Sequence, residues 1–481
     1  MPTSSKNVFQ VISSSSVGRI GQYFVNSDTK CITTPNVLIP TSRGTVPHIT
    51  PDLLTKHVKV SALFIGLEDF MTRNLKSSSL AKSNATVREF MSLLPSDDYD
   101  VPIFLCPRRS NLVPSSQPNK EDSLAVVTGY GYMQMSIKEY LEILPRLRDS
   151  STVIVAPADL PLLVSSNSEG QGVASKGIRK VGGNRSKKLV SRNEKWSGAV
   201  LKKIGESNPV IVPLIPGVSI SQQTPYLETI MGLDSITNEV SQQSGVKASG
   251  FTVMDLRSPF LETKPEVNSK VTREVNKVDN NPELTLSDLV DFDALPRFVD
   301  KNSVRIDMEF LSGPHDVVSA VERGYDFITG DWITVATDAG LGFRFDLNNF
   351  DEQDKKVGIN LWDKEKYATD LSPIKEGCKC HTCTRHHRAF VNHLLNAREM
   401  LAWTLLQIHN IYVANEFMAA IQKSIKENMF AIAAKRFKDN YEIAVSEIGI
   451  ENGPRTRGYQ VKLIGPTPEK LNEKPYTSYQ D

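Results

Sequence analysis

Short apolar runs recur along most of the chain, separated by polar or helix-patterned segments. They fall at 58–65, 102–106, 152–156, 210–215, 250–256, 304–310 and 325–328. A short continuous apolar run, without polar alternation, is the pattern of a strand buried on both faces, as in a parallel sheet. Helical patterns lie between the runs. Ser136-Ile137-Lys138-Glu139 is a capping-box sequence that opens an amphipathic stretch through Leu144. Ser312-Gly313-Pro314 precedes Val317, Val318 and Val321, which share one helical face and end before Gly324. Alternation of strand and helix over about 300 residues predicts a (β/α)8 barrel, which needs roughly 250. Periodicity alone does not count to eight strands, so a doubly wound sheet stays open as the alternative.

The pattern divides the chain into a barrel body over 8–350, a second unit over 357–430, and a flexible tail over 453–481 rich in Pro, Lys, Glu and Tyr. Two loop insertions are expected within the body: a Ser/Gly-rich one at about 165–183, and a charged, aromatic-poor one at about 262–282. In the second unit, Phe390, Leu394, Ala397 and Leu401 read as one apolar stripe.

Composition narrows the function classes. The 481 residues are 40% hydrophobic and 23% charged, which fits a soluble globular protein. Lys and Arg number 56 against 55 acids, so no global charge draws the chain to nucleic acid or membrane. The N-terminus lacks a basic stretch followed by an apolar core, and no window approaches the ~20 apolar residues of a membrane span. A cytoplasmic protein is the expectation. One local bias stands out. Between Lys176 and Lys203 there are ten Lys or Arg against one acid, Glu194. That is either a phosphate-binding patch or the solvated face of a helix that follows a flexible loop.

The sharpest chemistry lies near the C-terminus. Cys378, Cys380 and Cys383 carry the spacings C-x-C and C-x-x-C, and His409 follows 26 positions after Cys383 in a helix-patterned segment. A Cys3His set favours zinc in a closed tetrahedral site, with no position left for water, so one structural Zn2+ per chain is expected. His381, His386, His387 and His393 are rivals for the fourth ligand. The remaining cysteines, Cys31 and Cys106, stand singly, which argues against a disulfide framework.

These residues also carry a family resemblance. Positions 358–374 lead into G-C-K-C-H-T-C, then Arg388-Ala389-Phe390, His393-Leu394-Leu395, Glu399-Met400-Leu401 and His409-Asn410. This order resembles the zinc subdomain of the queuine/archaeosine tRNA-ribosyltransferases, the tRNA-guanine transglycosylases. Thr34-Pro35, the segment 40–51 and the segment 312–324 resemble the family's opening strand and loop and the helix before its catalytic strand. The resemblance spans roughly residues 8 to 430 and is strongest after 303. It implies a TIM barrel with an inserted C-terminal zinc-binding subdomain whose ligands are Cys378, Cys380, Cys383 and His409.

The departures are as informative. Active members use an aspartate nucleophile, and counting from Gly324 places Thr329 there. Asp331 is two positions late, Asp326 is three early, and the P-T-R that follows in active members is absent. The D-S-G-G motif that carries the acid/base is replaced by 103–109, which ends in Cys106-Pro107-Arg108-Arg109. The Q-G-G recognition loop is replaced by Leu214-Ile215-Pro216-Gly217, and the G-G-L loop by 250–256. By the resemblance, Asp159 is a candidate remnant of the carboxylate that reads the purine edge in active members. The resemblance therefore points to the family's non-catalytic branch, with no catalytic residue of its own. It implies a heterodimer with a catalytic subunit, with tRNA bound through the complex, and exchange of guanine for queuine at the wobble position of tRNAs with G-U-N anticodons. By resemblance only, peripheral association with the mitochondrial outer membrane is a further expectation. Two alternatives remain: a divergent transglycosylase using Asp331 or Asp326, and a stand-alone zinc-containing RNA-binding protein.

Overall fold

The computed structural model describes residues 9–14, 17–25, 30–83, 85–91, 101–110, 117–161, 182–231, 248–254, 302–308, 313–350 and 355–442. Its strands run in chain order as β1 (Phe9–Ser14), β2 (Arg19–Val25), β3 (Lys30–Thr34), β4 (Asn36–Pro40), β5 (Ala62–Gly66), β6 (Ile103–Cys106), β7 (Ser123–Thr128) and β8 (Gly131–Ser136). They continue as β9 (Thr152–Val155), β10 (Val210–Leu214), β11 (Gly250–Met254), β12 (Val304–Met308), β13 (Phe327–Thr329), β14 (Leu341–Phe343) and β15 (Gly358–Asn360). Strands β4, β5, β6, β9, β10, β11, β12 and β13 close into one barrel in that order. Every ladder around it is parallel, and β13 returns to β4 with Thr329 opposite Leu38. The expected TIM-like barrel is therefore present, and the doubly wound alternative is not.

Strand alternation sorts side chains to two cores. Leu38, Phe64, Phe104, Val153, Ile306 and Phe327 fill the barrel interior. Their neighbours Val37, Leu63, Leu105, Ile154 and Ile328 join the outer core under the helices. The interior is plugged at one end by the antiparallel sheet β1–β2–β3, which contributes Phe9 and Tyr23. Tyr23 meets Phe327 edge-on, with centroids 5.7 Å apart. The helix Ile137–Leu147 begins where the capping pattern places it, with Ser136 Oγ accepting the Glu139 N–H. Pro314 occupies the first turn of the helix Pro314–Glu322, and Gly324 at φ 86° turns the chain into β13.

After β13 come the helix Asp331–Asp338, the β14–β15 hairpin and the helices His381–Arg385, Arg388–Ala397, Met400–Lys426 and Phe430–Asn440. The 27-residue helix Met400–Lys426 serves two cores. Ala402, Leu405 and Leu406 pack with Leu361, Ile374 and Leu395, whereas Ile408 to Ile425 pack on the barrel. The stripe expected through Phe390, Leu394, Ala397 and Leu401 does not form. Arg398 takes the left-handed conformation (φ 58°) and breaks the helix, leaving Leu394 buried but Ala397 and Leu401 exposed. The insertion at 262–282 and the tail at 453–481 lie outside the described residues, as does 165–183 up to Gly182, where a long helix is about to begin. Among the described residues no helix is long and apolar enough to cross a membrane.

Candidate metal centre and barrel mouth

Three local devices aim the cysteines at one point. Gly377 at φ 72° turns the chain into Cys378. Cys380 caps the helix His381–Arg385, its sulfur accepting the Cys383 N–H at 3.3 Å. Thr382 Oγ1 donates to the Leu405 carbonyl at 2.6 Å and docks that short helix on the long one. The long helix then presents His409. Its Nδ1 lies 3.8, 3.4 and 3.3 Å from the sulfurs of Cys378, Cys380 and Cys383. The four donor atoms all fall within 4.8 Å of one another, a set compatible with a metal site.

The histidine's orientation is fixed from behind. Its Nε2 is 2.8 Å from the Phe343 carbonyl, an acceptor only, so Nε2 carries the proton and Nδ1 turns a lone pair to the sulfurs. Asn410 fastens the same point: its Oδ1 accepts from Phe343 N at 2.9 Å and its Nδ2 donates to Leu341 O at 2.9 Å. The adjacent His-Asn pair thus ties the long helix to β14. The three thiols share protons: contacts with Cys378 and Cys380 push the Cys383 thiol down, and contacts with Cys378 and Cys383 push the Cys380 thiol up. The rival histidines are engaged elsewhere. His381 stacks on His57 and His386 on Phe390, His387 Nδ1 accepts the Phe390 N–H, and His393 is exposed.

Barrel chemistry belongs at the C-terminal ends of the strands. Asp326 lies at the other end, before β13, where it is fully buried and accepts from Arg19, Thr34 and the Arg305 N–H. It belongs to the contact between the N-terminal sheet and the barrel floor. Thr329 ends β13 and is 1% exposed. Asp331 opens the next helix, half-buried, and accepts from Ser110 Oγ at 3.0 Å. Cys106 ends β6, and burial pushes its thiol up to about 12, so it stays protonated.

Around these the mouth is crowded by charges that satisfy one another. A Cβ on Gly66 would come 2.7 Å from Arg109 Cα, so the 108–109 backbone lies directly across the end of β5. Arg109 pairs with Glu68 at 2.9 Å and Asp69 at 3.0 Å, and its Nη2 donates to the Val127 carbonyl at 2.7 Å. Arg108 reaches the Ala125 carbonyl at 2.8 Å. Burial raises the Glu68 carboxyl although Arg109 opposes the shift. Asp159 is held by Arg192 and accepts from Asn119 Nδ2 at 2.5 Å, so both its oxygens are occupied. Sequence reading did not single out Glu68, Asp69, Asn119 or Phe343, and placed Arg192 only within the basic run. Only Glu68 and Asp69 carried a signal there, as acids directly after a strand end.

A protein-family profile described as Queuine tRNA-ribosyltransferase matches residues 287–443. The Schizosaccharomyces pombe protein named Queuine tRNA-ribosyltransferase accessory subunit 2 is 30% identical over 466 residues, covering 95% of this chain and 89% of that protein. A Caenorhabditis briggsae protein of the same name is 31% identical over 121 residues, 24% of this chain and 32% of that protein. The Clostridium acetobutylicum Queuine tRNA-ribosyltransferase is 38% identical over 117 residues, 24% of this chain and 28% of that protein.

Proposed function

The chain belongs to the queuine tRNA-ribosyltransferase family, and from that premise we propose that it is the non-catalytic, accessory subunit of a heterodimeric enzyme. Its partner would be a catalytic subunit of the same family, and the complex would exchange guanine for queuine at the wobble position of tRNAs with G-U-N anticodons. The observation that carries this reading is Thr329 at the end of β13, where ribosyl transfer needs a carboxylate. A buried neutral hydroxyl has no means to attack an anomeric carbon, and the Glu68–Arg109–Asp69 cluster occupies the adjoining mouth. The reading is also favoured by similarity to the fission yeast accessory subunit along nearly the whole chain.

In this proposal Cys378, Cys380, Cys383 and His409 hold one zinc ion, which is structural because four protein ligands leave no open position. The residues fit: soft thiolates, one imidazole with its second nitrogen anchored, and burial of Cys380 and His409. The chain's own part is to hold the short helix against the long one and so set the surface around it. Leu371, Met400 and Leu401 on that part of the chain are 74%, 84% and 46% exposed, apolar area of the kind a permanent partner covers. A complex of this class should bury about 1,600 Å² or more.

The test is omission. The chain and a catalytic homologue are purified separately, mixed, and assayed for labelled guanine exchange into tRNA, alone and together. The proposal expects one co-eluting species and no exchange by this chain alone. Exchange by this chain alone would establish the catalytic alternative. Separate elution at micromolar concentration, with zinc on both chains, would leave only the stand-alone reading.

A further inference from the structure

The helix Gly183–Ile204 carries seven Lys or Arg against one acid, in a chain with 56 Lys or Arg against 55 acids overall. Its inner face is apolar, with Leu189, Trp196, Val200 and Ile204 buried against the barrel. At 100° per residue the seven basic positions all fall outside that face, along a helix of 22 residues, about 33 Å. Glu194 lies at the margin and accepts from Thr229 Oγ1 at 3.1 Å. Arg192 and Lys195 are partly answered by Asp159 and Glu121. Arg185, Lys187, Lys188 and Lys202 are exposed and form no ion pair among the described residues.

Two features of this face work against the helix itself. Three of the unpaired cations stand within its first two turns, where the helix dipole favours acids, and the first turn holds none. Gly198 sits in the helix interior, where glycine lowers stability, yet an added Cβ would meet nothing within 4 Å. Among the described residues no packing calls for it. With Ser191 on the same outward side, it leaves a shallow track between long basic side chains. Unpaired cations stand at both ends of a smooth track, Lys188 and Lys202 about 21 Å apart along the helix, and a phosphate backbone laid along it would neutralise their charge and approach closest where a side chain is missing.

We propose that the outward face of the helix Gly183–Ile204 is an RNA-docking surface that binds the tRNA phosphate backbone through Arg185, Lys187, Lys188 and Lys202. It rests on the accessory-subunit reading for the identity of the RNA, but not for the surface itself. The face reads charge and carries no base specificity, so it adds affinity to the complex without touching the reacting nucleotide.

The test is the variant Arg185→Gln/Lys187→Gln/Lys188→Gln/Lys202→Gln in the reconstituted complex. A control removes the same charge elsewhere, with Lys423, Lys426, Lys435 and Arg436 each changed to Gln. Circular dichroism and co-elution check folding and pairing. The tRNA dissociation constant is then measured across a salt series. Loss of four phosphate contacts lowers the log–log salt slope by about 3.6 and weakens binding at least ~10-fold near 0.1 M salt. The control should stay at wild type, and turnover at saturating tRNA should not change. Wild-type affinity and slope in the variant would overturn the proposal. So would loss of binding to phosphatidylserine-containing vesicles with tRNA binding unchanged, which would make the face a membrane contact. Should the wild-type chain fail to pair at all, the accessory reading fails instead. The same slope comparison on the chain alone then decides the surface.

Discussion

Replacing Asp326 with Ala should damage stability far more than its distance from the barrel mouth would imply. The carboxylate is fully buried and accepts from Arg19 Nε at 3.0 Å, from Arg19 Nη2, from Thr34 Oγ1 at 3.3 Å and from the Arg305 N–H at 2.8 Å. Arg19 is 6% exposed, with the Ser303 carbonyl at 2.7 Å and the Phe9 ring as its other neighbours. Truncation therefore leaves a guanidinium buried without its counter-charge, a change that costs about 3–5 kcal/mol. Against a total stability of roughly 5–15 kcal/mol this is large. For a chain of 481 residues the melting temperature should drop by roughly 3–5 °C, read by tryptophan fluorescence on the zinc-loaded protein. Arg19→Met/Asp326→Leu should recover most of the loss, because an apolar pair needs no compensation. A melting temperature within about 1 °C of wild type for Asp326→Ala would show that Arg19 does not depend on this counter-charge. Intact stability with guanine exchange abolished would instead give Asp326 a role in the chemistry.

Three further outcomes follow from particular groups. Cys380→Ala removes one of four converging donors, so elemental analysis should find zinc well below one per chain, with new protease cleavage after Gly377; wild-type zinc content would reject the site. Burial holds the Cys106 thiol up at about 12, so iodoacetamide at mildly alkaline pH should label the exposed Cys31 but leave Cys106 unmodified until denaturant is added; ready labelling of Cys106 in the folded chain would contradict its burial. Burial lowers the pKa of His315, whose Nε2 lies 3.0 Å from the Tyr441 carbonyl. The unfolded chain then binds more protons below 6.5, so stability should fall as pH drops from there through the lowered folded value. His315→Gln should flatten that fall, and identical pH profiles would remove His315 as its cause.

What the sequence made legible was local. The apolar runs at 102–106, 152–156 and 210–215 match β6, β9 and β10 within a residue, because a strand buried on both faces leaves no polar alternation to misread. The run at 58–65 was less sharp: its first residues belong to the turn before β5. The thiols were legible because three of them fall within six positions. His409 needed only its chemistry, and the structure supplies the reason for its orientation, a carbonyl 66 positions away. Long-range features left no such trace. Nothing near Arg19 announces a partner 307 positions on, and nothing near Glu68 announces Arg109. The break at Arg398 was invisible because an arginine, and not a glycine, takes the left-handed position there.

In the proposed function this barrel supplies no reacting group. Asp331 is the carboxylate that comes closest to contradicting it. It stands two residues past the end of β13, at the mouth, bound to Ser110. The most direct measurement is queuine incorporation into tRNA by the complex reconstituted with Asp331→Asn in this chain, with dimer formation and tRNA affinity measured on the same sample. Incorporation close to wild type is expected. A loss of several orders of magnitude, with dimer and tRNA binding intact, would show that this chain is catalytic.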